Sequence, residues 1–71
     1  MLKATHVLQG ESGRIYFTNI EYFYSMDAFR RSMCQAGQRL EADGLVYRGL
    51  YYWSPFHSEE VRHVTYKYLE E

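Results

Sequence analysis

Three histidines, one cysteine and nine carboxylates are the groups in this 71-residue chain that acid–base, nucleophilic or metal chemistry would use. Their spacing gathers none of them into a site. His57 and His63 stand six apart across a loop and a strand start, which matches no zinc pattern. His57-Ser58-Glu59-Glu60 has the composition of a zincin helix, but the order is wrong and the second histidine is misplaced. His6 alternates with Ala4 and Leu8, the placement of a partly buried, hydrogen-bonded histidine. Cys34 falls beside Met33 in mid-helix, away from the helix N-terminus that activates a thiol, so it reads as a small packing residue. No serine occupies a GxSxG elbow, and Gly10-Glu11-Ser12-Gly13 joins two strands where a phosphate cradle would precede a helix. The expectation is a protein that is no enzyme, with no catalytic residue, no metal and no cofactor.

The side chains in surplus are aromatic. There are eight tyrosines, four phenylalanines and one tryptophan, and nine of these thirteen rings cluster in IYFTNIEYFY (15–24) and VYRGLYYW (46–53). Tyrosine joins a large apolar body to a polar tip, which suits a surface that is buried only when a partner arrives. A domain this small has few interior positions, so part of the ring surface faces outward, and an outward cluster marks an interface. Binding hot spots concentrate in Trp, Tyr and Arg. Tyr22, Tyr47, Arg48, Tyr51 and Trp53 are therefore the expected partner-binding residues, with Glu21, Arg48 and Arg62 as polar rim.

Nucleic acid is the rival ligand. Arg48-Gly49-Leu50-Tyr51-Tyr52-Trp53 resembles the start of an RNA-recognition strand, with Leu50 in its first aromatic position. Arg30, Arg31 and Arg39, expected on a helix, would contact phosphates. The alternative is thus a small dimeric nucleic-acid-binding regulator. Against it stand two lysines and six arginines facing nine carboxylates, a net charge of −1, and Glu41 and Asp43 nearby. No global field gathers a polyanion.

At this length one domain forms, and folding buries only roughly 60% of the unfolded chain's surface. A single cysteine excludes an internal disulfide, so association is the expected source of extra stability, through a homodimer or an obligate partner. The same cysteine usage fits a reducing compartment. Met1 to Gln9 has no apolar h-region, and no apolar run approaches a bilayer span. A cytoplasmic location with no membrane association is expected. Tiny tyrosine-rich domains of this kind are common among accessory proteins of phages and mobile elements, many of which occlude a host surface. The expected function is a non-enzymatic protein-binding module, an inhibitor that sterically blocks a larger protein or nucleoprotein machine such as a host defence complex.

Elements must present those rings. Leu2 to Gln9 alternates loosely, and two glycines within Gly10–Gly13 signal a hairpin into a strand from Arg14 to about Tyr24. Met26, Phe29, Met33, Ala36 and Leu40 recur at steps of three and four, the stripe of an amphipathic helix. Ser25 is its N-cap, Asp27 sits in its first turn, Gly37 is its weak point and Gly44 its left-handed end. Leu45 to Trp53 forms a third strand, broken by Ser54-Pro55-Phe56-His57-Ser58. In residues 58–69, Ser58-Glu59-Glu60 resembles a helix start, but valine, threonine and tyrosine favour a strand over Val61 to Leu69. The expected fold is α+β: a four-stranded antiparallel sheet, β-β-α-β-β, with one amphipathic helix packed on one face. Alternation puts Tyr16, Ile20, Tyr22 and Tyr24 on one face of their strand, and Leu45, Tyr47, Tyr51 and Trp53 together on one face of theirs.

Overall fold

The computed structural model describes residues 1–41 and 46–69. Its elements are β1 (Leu2–Gly10), β2 (Ile15–Phe23), α1 (Met26–Gln35), β3 (Arg39–Leu40), β4 (Val46–Arg48), β5 (Tyr52–Ser54) and β6 (Glu59–Leu69). The fold is α+β with one helix, as expected. The sheet has six antiparallel strands where four were expected, in the order β2-β1-β6-β4-β3, with β5 paired to β6. The expected turn at Asp43-Gly44 and the strand start at Leu45 lie outside the described residues. Among the described residues no helix is long and apolar enough to cross a membrane.

Gly10–Gly13 closes the β1–β2 hairpin: Gly13 takes φ +93°, and the Gly10 N–H donates to the Arg14 carbonyl at 2.8 Å. Ser25 caps α1, its hydroxyl accepting from the Ala28 N–H at 3.2 Å. The helix ends at Gln35, five residues short of Leu40 in the expected stripe. Gly37 causes the stop. It adopts φ +74°, its N–H donates to the Cys34 carbonyl (3.1 Å), and the Gln38 N–H donates to the Met33 carbonyl (2.9 Å). That pair of bonds is a Schellman motif, which satisfies the last carbonyls and turns the chain away. Arg39 and Leu40, expected on the helix, consequently form β3.

Two one-residue insertions decide which side chains face where. Opposite β6, Arg48 faces Val64 and Tyr52 faces Val61, so residues 49–51 oppose only residues 62–63. This bulge, fastened by the Gly49 N–H donating to the His63 carbonyl (2.9 Å), splits the expected third strand into β4 and β5. In β2, Leu8 faces Phe17 and Gln9 faces Ile15, which leaves Tyr16 as the extra residue. Each insertion reverses the in–out alternation beyond it.

Helix α1 lies on the sheet face that carries Leu2, Ala4, Phe23 and Tyr47, and with Phe29 and Met33 these form the main core. The Phe29 ring meets Phe23 and Tyr47 edge-on, at centroid distances of 5.4 and 5.1 Å. Ten helical residues span only about 15 Å, whereas the longest dimension of the molecule is 39 Å. The helix therefore covers one end of one face. Among the described residues the opposite face carries no helix, and its small apolar centre is Val7, Val46 and Val64.

Candidate functional site

The helix-free face is built in rows across the sheet, because directly opposed residues in an antiparallel ladder share a face. One row runs Tyr22, Lys3, Tyr68; the next runs Ile20, Thr5, Tyr66, Val46; the next runs Thr18, Val7, Val64, Arg48, Arg39. Beyond them stands Arg62, with its guanidinium 4.5 Å from the Tyr51 ring centroid, and then Trp53 opposite Glu60. Tyr22, Tyr51, Trp53, Tyr66 and Tyr68 are all exposed. Lys3 lies over the Tyr68 ring at 4.9 Å, so each end of the face pairs a ring with a cation. Arg48 makes a 3.6 Å ion pair with Glu41. The Nε donors of Arg48 and Arg62 are closed off from solvent without a hydrogen-bond partner.

Of the expected partner-binding residues, Tyr22, Arg48, Tyr51 and Trp53 occupy this face. Tyr22 belongs to its far end, since Tyr68 and Arg62 are six positions apart on β6, about 20 Å at strand rise. Tyr47 does not belong to it. It is buried under α1 against Phe29, because the bulge at 49–51 puts it on the opposite side from Tyr51 and Trp53. The three arginines of the nucleic-acid expectation are also divided: Arg30 and Arg31 are exposed on α1, while Arg39 is across the sheet beside Arg48. Sequence reasoning missed Tyr66 and Tyr68. Their signal was the even spacing of Arg62, Val64, Tyr66 and Tyr68, which a strand puts on one face.

The helix-bearing face has polar clusters where the helix runs out. At the boundary, the Thr65 hydroxyl donates to Oε1 of Gln38 at 2.9 Å and lies 3.0 Å from Nδ1 of His6. His6 Nε2 in turn lies 3.0 Å from Glu21 Oε1. His6 is thus the partly buried, bonded histidine that its alternation suggested. At the hairpin end, the Glu59 carboxylate lies across Gly10, where a Cβ would stand 2.5 Å from its Cδ. It accepts from the Ser12 N–H (3.0 Å), the Ser12 hydroxyl (3.1 Å) and the Tyr16 hydroxyl. The Tyr16 bond, followed by the Ser12 N–H, holds the Glu59 carboxyl below its ordinary range. The same bond, with burial second, pushes the Tyr16 hydroxyl up.

The Tyr16 ring also packs on His57 at 4.1 Å, and His57 Nδ1 is 2.9 Å from the Ser54 hydroxyl. A serine beside a histidine and a nearby glutamate has the membership of a nucleophilic triad. Ser54 is buried, however, and Glu59 is committed to Tyr16 and Ser12, so the pair closes the turn that Ser58 completes at φ 56°. Cys34, expected to pack, is exposed on α1, since it stands off the buried stripe of Phe29 and Met33. Among the described residues no group of three His, Cys, Asp or Glu converges to hold a metal ion. Comparison with family models, curated proteins and solved structures finds no match to this chain.

Proposed function

We propose that this chain is a non-enzymatic protein-binding module that captures a partner on the helix-free face of its sheet. It acts by covering part of that partner, as a small steric inhibitor of a larger protein or nucleoprotein machine does. The observation that carries this is the set of exposed rings on that face, interleaved with Arg48 and Arg62. Rings and guanidinium groups are the side chains that dominate binding hot spots. The rings bury much area while losing few rotamers, and the planar guanidinium fork stacks on rings and donates several hydrogen bonds. Trp53, 62% exposed, is the largest of them, and its neighbour Tyr51 already has a cation stacked on it.

Single-stranded nucleic acid is the second reading, favoured by Arg39, Arg48 and Arg62 sharing a face with stacking rings. One experiment separates the two. Trp53→Ala and Tyr51→Ala are expected to abolish capture of a partner protein from lysate, leave the thermal midpoint unchanged and show little salt dependence. The control Phe56→Ala, on the turn, retains capture. Retention of capture by both face variants defeats the proposal. Binding of single strands that weakens steeply with salt and with Arg48→Ala moves the assignment to nucleic acid.

A further inference from the structure

The two edges of the sheet differ in how they are protected. On one side the outermost strands are short: β3 has two residues, one of them Arg39, and β5 has three and is followed by Pro55. Short length, charge and proline are the usual means of keeping an edge from pairing. On the other side β2 is nine residues long, and among the described residues no strand lies beyond it. After the bulge at Tyr16, Phe17 to Phe23 keeps unbroken register with β1 over seven residues. That run contains no lysine, arginine or proline. Its one charge, Glu21, is turned to His6 on the helix-bearing face. Phe17, Ile20 and Tyr22 are 57%, 47% and 52% exposed. Such an edge is a template for another strand.

We infer that the occupant is β2 of a second copy of this chain, paired antiparallel about a two-fold axis normal to the sheet. Opposed residues share a face and the axis preserves faces, so the axis must pass through a residue set against its own copy. Ile20 is the midpoint of the unbroken run, and centring there pairs all seven residues. Ile20 then meets Ile20, Thr18 meets Tyr22, Phe17 meets Phe23, and the Asn19 amide donates to the Glu21 carboxylate. Apolar, β-branched and aromatic residues face one another, which favours cross-strand pairing, and no like charges are opposed. Centring on Glu21 would set carboxylate against carboxylate, and centring on Asn19 would draw the bulged Tyr16 into the ladder. The product is one continuous sheet, six strands from each chain, with both helices on one side and the two ring-bearing faces joined on the other. It borders the proposed capture face at Thr18, Ile20 and Tyr22 and leaves Arg48, Arg62, Tyr51 and Trp53 untouched, so dimerisation and capture respond to different substitutions.

The test is size-exclusion chromatography with light scattering, supported by disulfide trapping. Wild type is expected at about twice the 8.5 kDa chain mass, and Trp53→Ala and Tyr51→Ala leave that unchanged. Ile20→Lys, at a half-exposed position, halves the mass while preserving the circular dichroism spectrum; Ile20→Glu does the same. In a Cys34→Ser background, Ile20→Cys forms an intermolecular disulfide on oxidation and Asn19→Cys does not. A wild-type monomer at sub-millimolar concentration overturns the inference. So does a dimer indifferent to both charges at position 20, or crosslinking at position 19 in place of 20.

Discussion

The two ends of the helix-bearing face solve the same problem by different means. At the α1 end, Leu2, Ala4, Phe23, Phe29, Met33 and Tyr47 exclude water by packing. At the hairpin end, beyond the reach of a ten-residue helix, Glu59, Tyr16, Ser12, His57 and Ser54 are joined by directed bonds. Apolar burial tolerates approximate geometry, and its contribution grows with area. A partly exposed hydrogen-bond cluster contributes less, but it fixes position closely. The covered end should therefore hold most of the folding free energy, and the hairpin end should mainly set where the loop and turn lie.

The sharpest way to break that contrast is Phe29→Ala. Phe29 is fully buried between two rings, and removing it should cost about 3–5 kcal/mol by lost transfer energy and cavity formation. A domain of this length has only about 4–11 kcal/mol in total, so urea denaturation should find the variant largely unfolded or close to it. A loss below about 1 kcal/mol, the range of a mild core change, would show that the stability resides elsewhere. Thr65→Val probes the boundary. It keeps the shape but leaves the Gln38 carbonyl oxygen, buried beside it, without its donor. A loss of about 1–3 kcal/mol is expected from the orphaned buried acceptor, with the contact to His6 Nδ1 lost beside it. Equal stability of variant and wild type would remove the polar row from any part in joining the two ends.

The same contrast explains what was legible in the sequence. Features set by neighbouring residues were readable: the Gly10–Gly13 hairpin, the Ser25 cap, the Phe29 and Met33 stripe, and the strand character of the tail. The helix end is not legible in the spacing, because Ala36 and Leu40 continue the three-and-four pattern past the left-handed Gly37 that stops the helix. The bulge at Tyr16 has no compositional mark and the one at 49–51 is marked only by Gly49, yet each reverses a face, and the second puts Tyr47 in the core, away from Tyr51 and Trp53. The Glu59 cluster joins residues more than forty positions apart through the missing side chain of Gly10, which only the folded register reveals.

Glu59 gives the smallest and most specific effect. Its folded pKa is depressed, so its bonds stabilise the fold above its ordinary value of 4.5 and that contribution is lost as pH falls through the folded pKa. Tyr16 is shifted the opposite way: its contribution is present below the ordinary value of 10.0 and is lost as pH rises through the raised one. Glu59→Gln should flatten part of the acid limb of the stability profile by lowering the neutral plateau slightly, with variant and wild type converging in acid. Gly10→Ala should mimic it by pushing the carboxylate off Ser12 and Tyr16, since a Cβ there meets Glu59 and a flexible side chain yields before backbone does. Amide hydrogen exchange supplies the local readout. The Ser12 N–H should exchange faster in both variants, whereas the Gln38 N–H, bonded to the Met33 carbonyl at the end of α1, keeps its protection. If Gln38 loses protection as much as Ser12 does, the two ends unfold as one unit, and the polar cluster supports the whole domain along with its own loop.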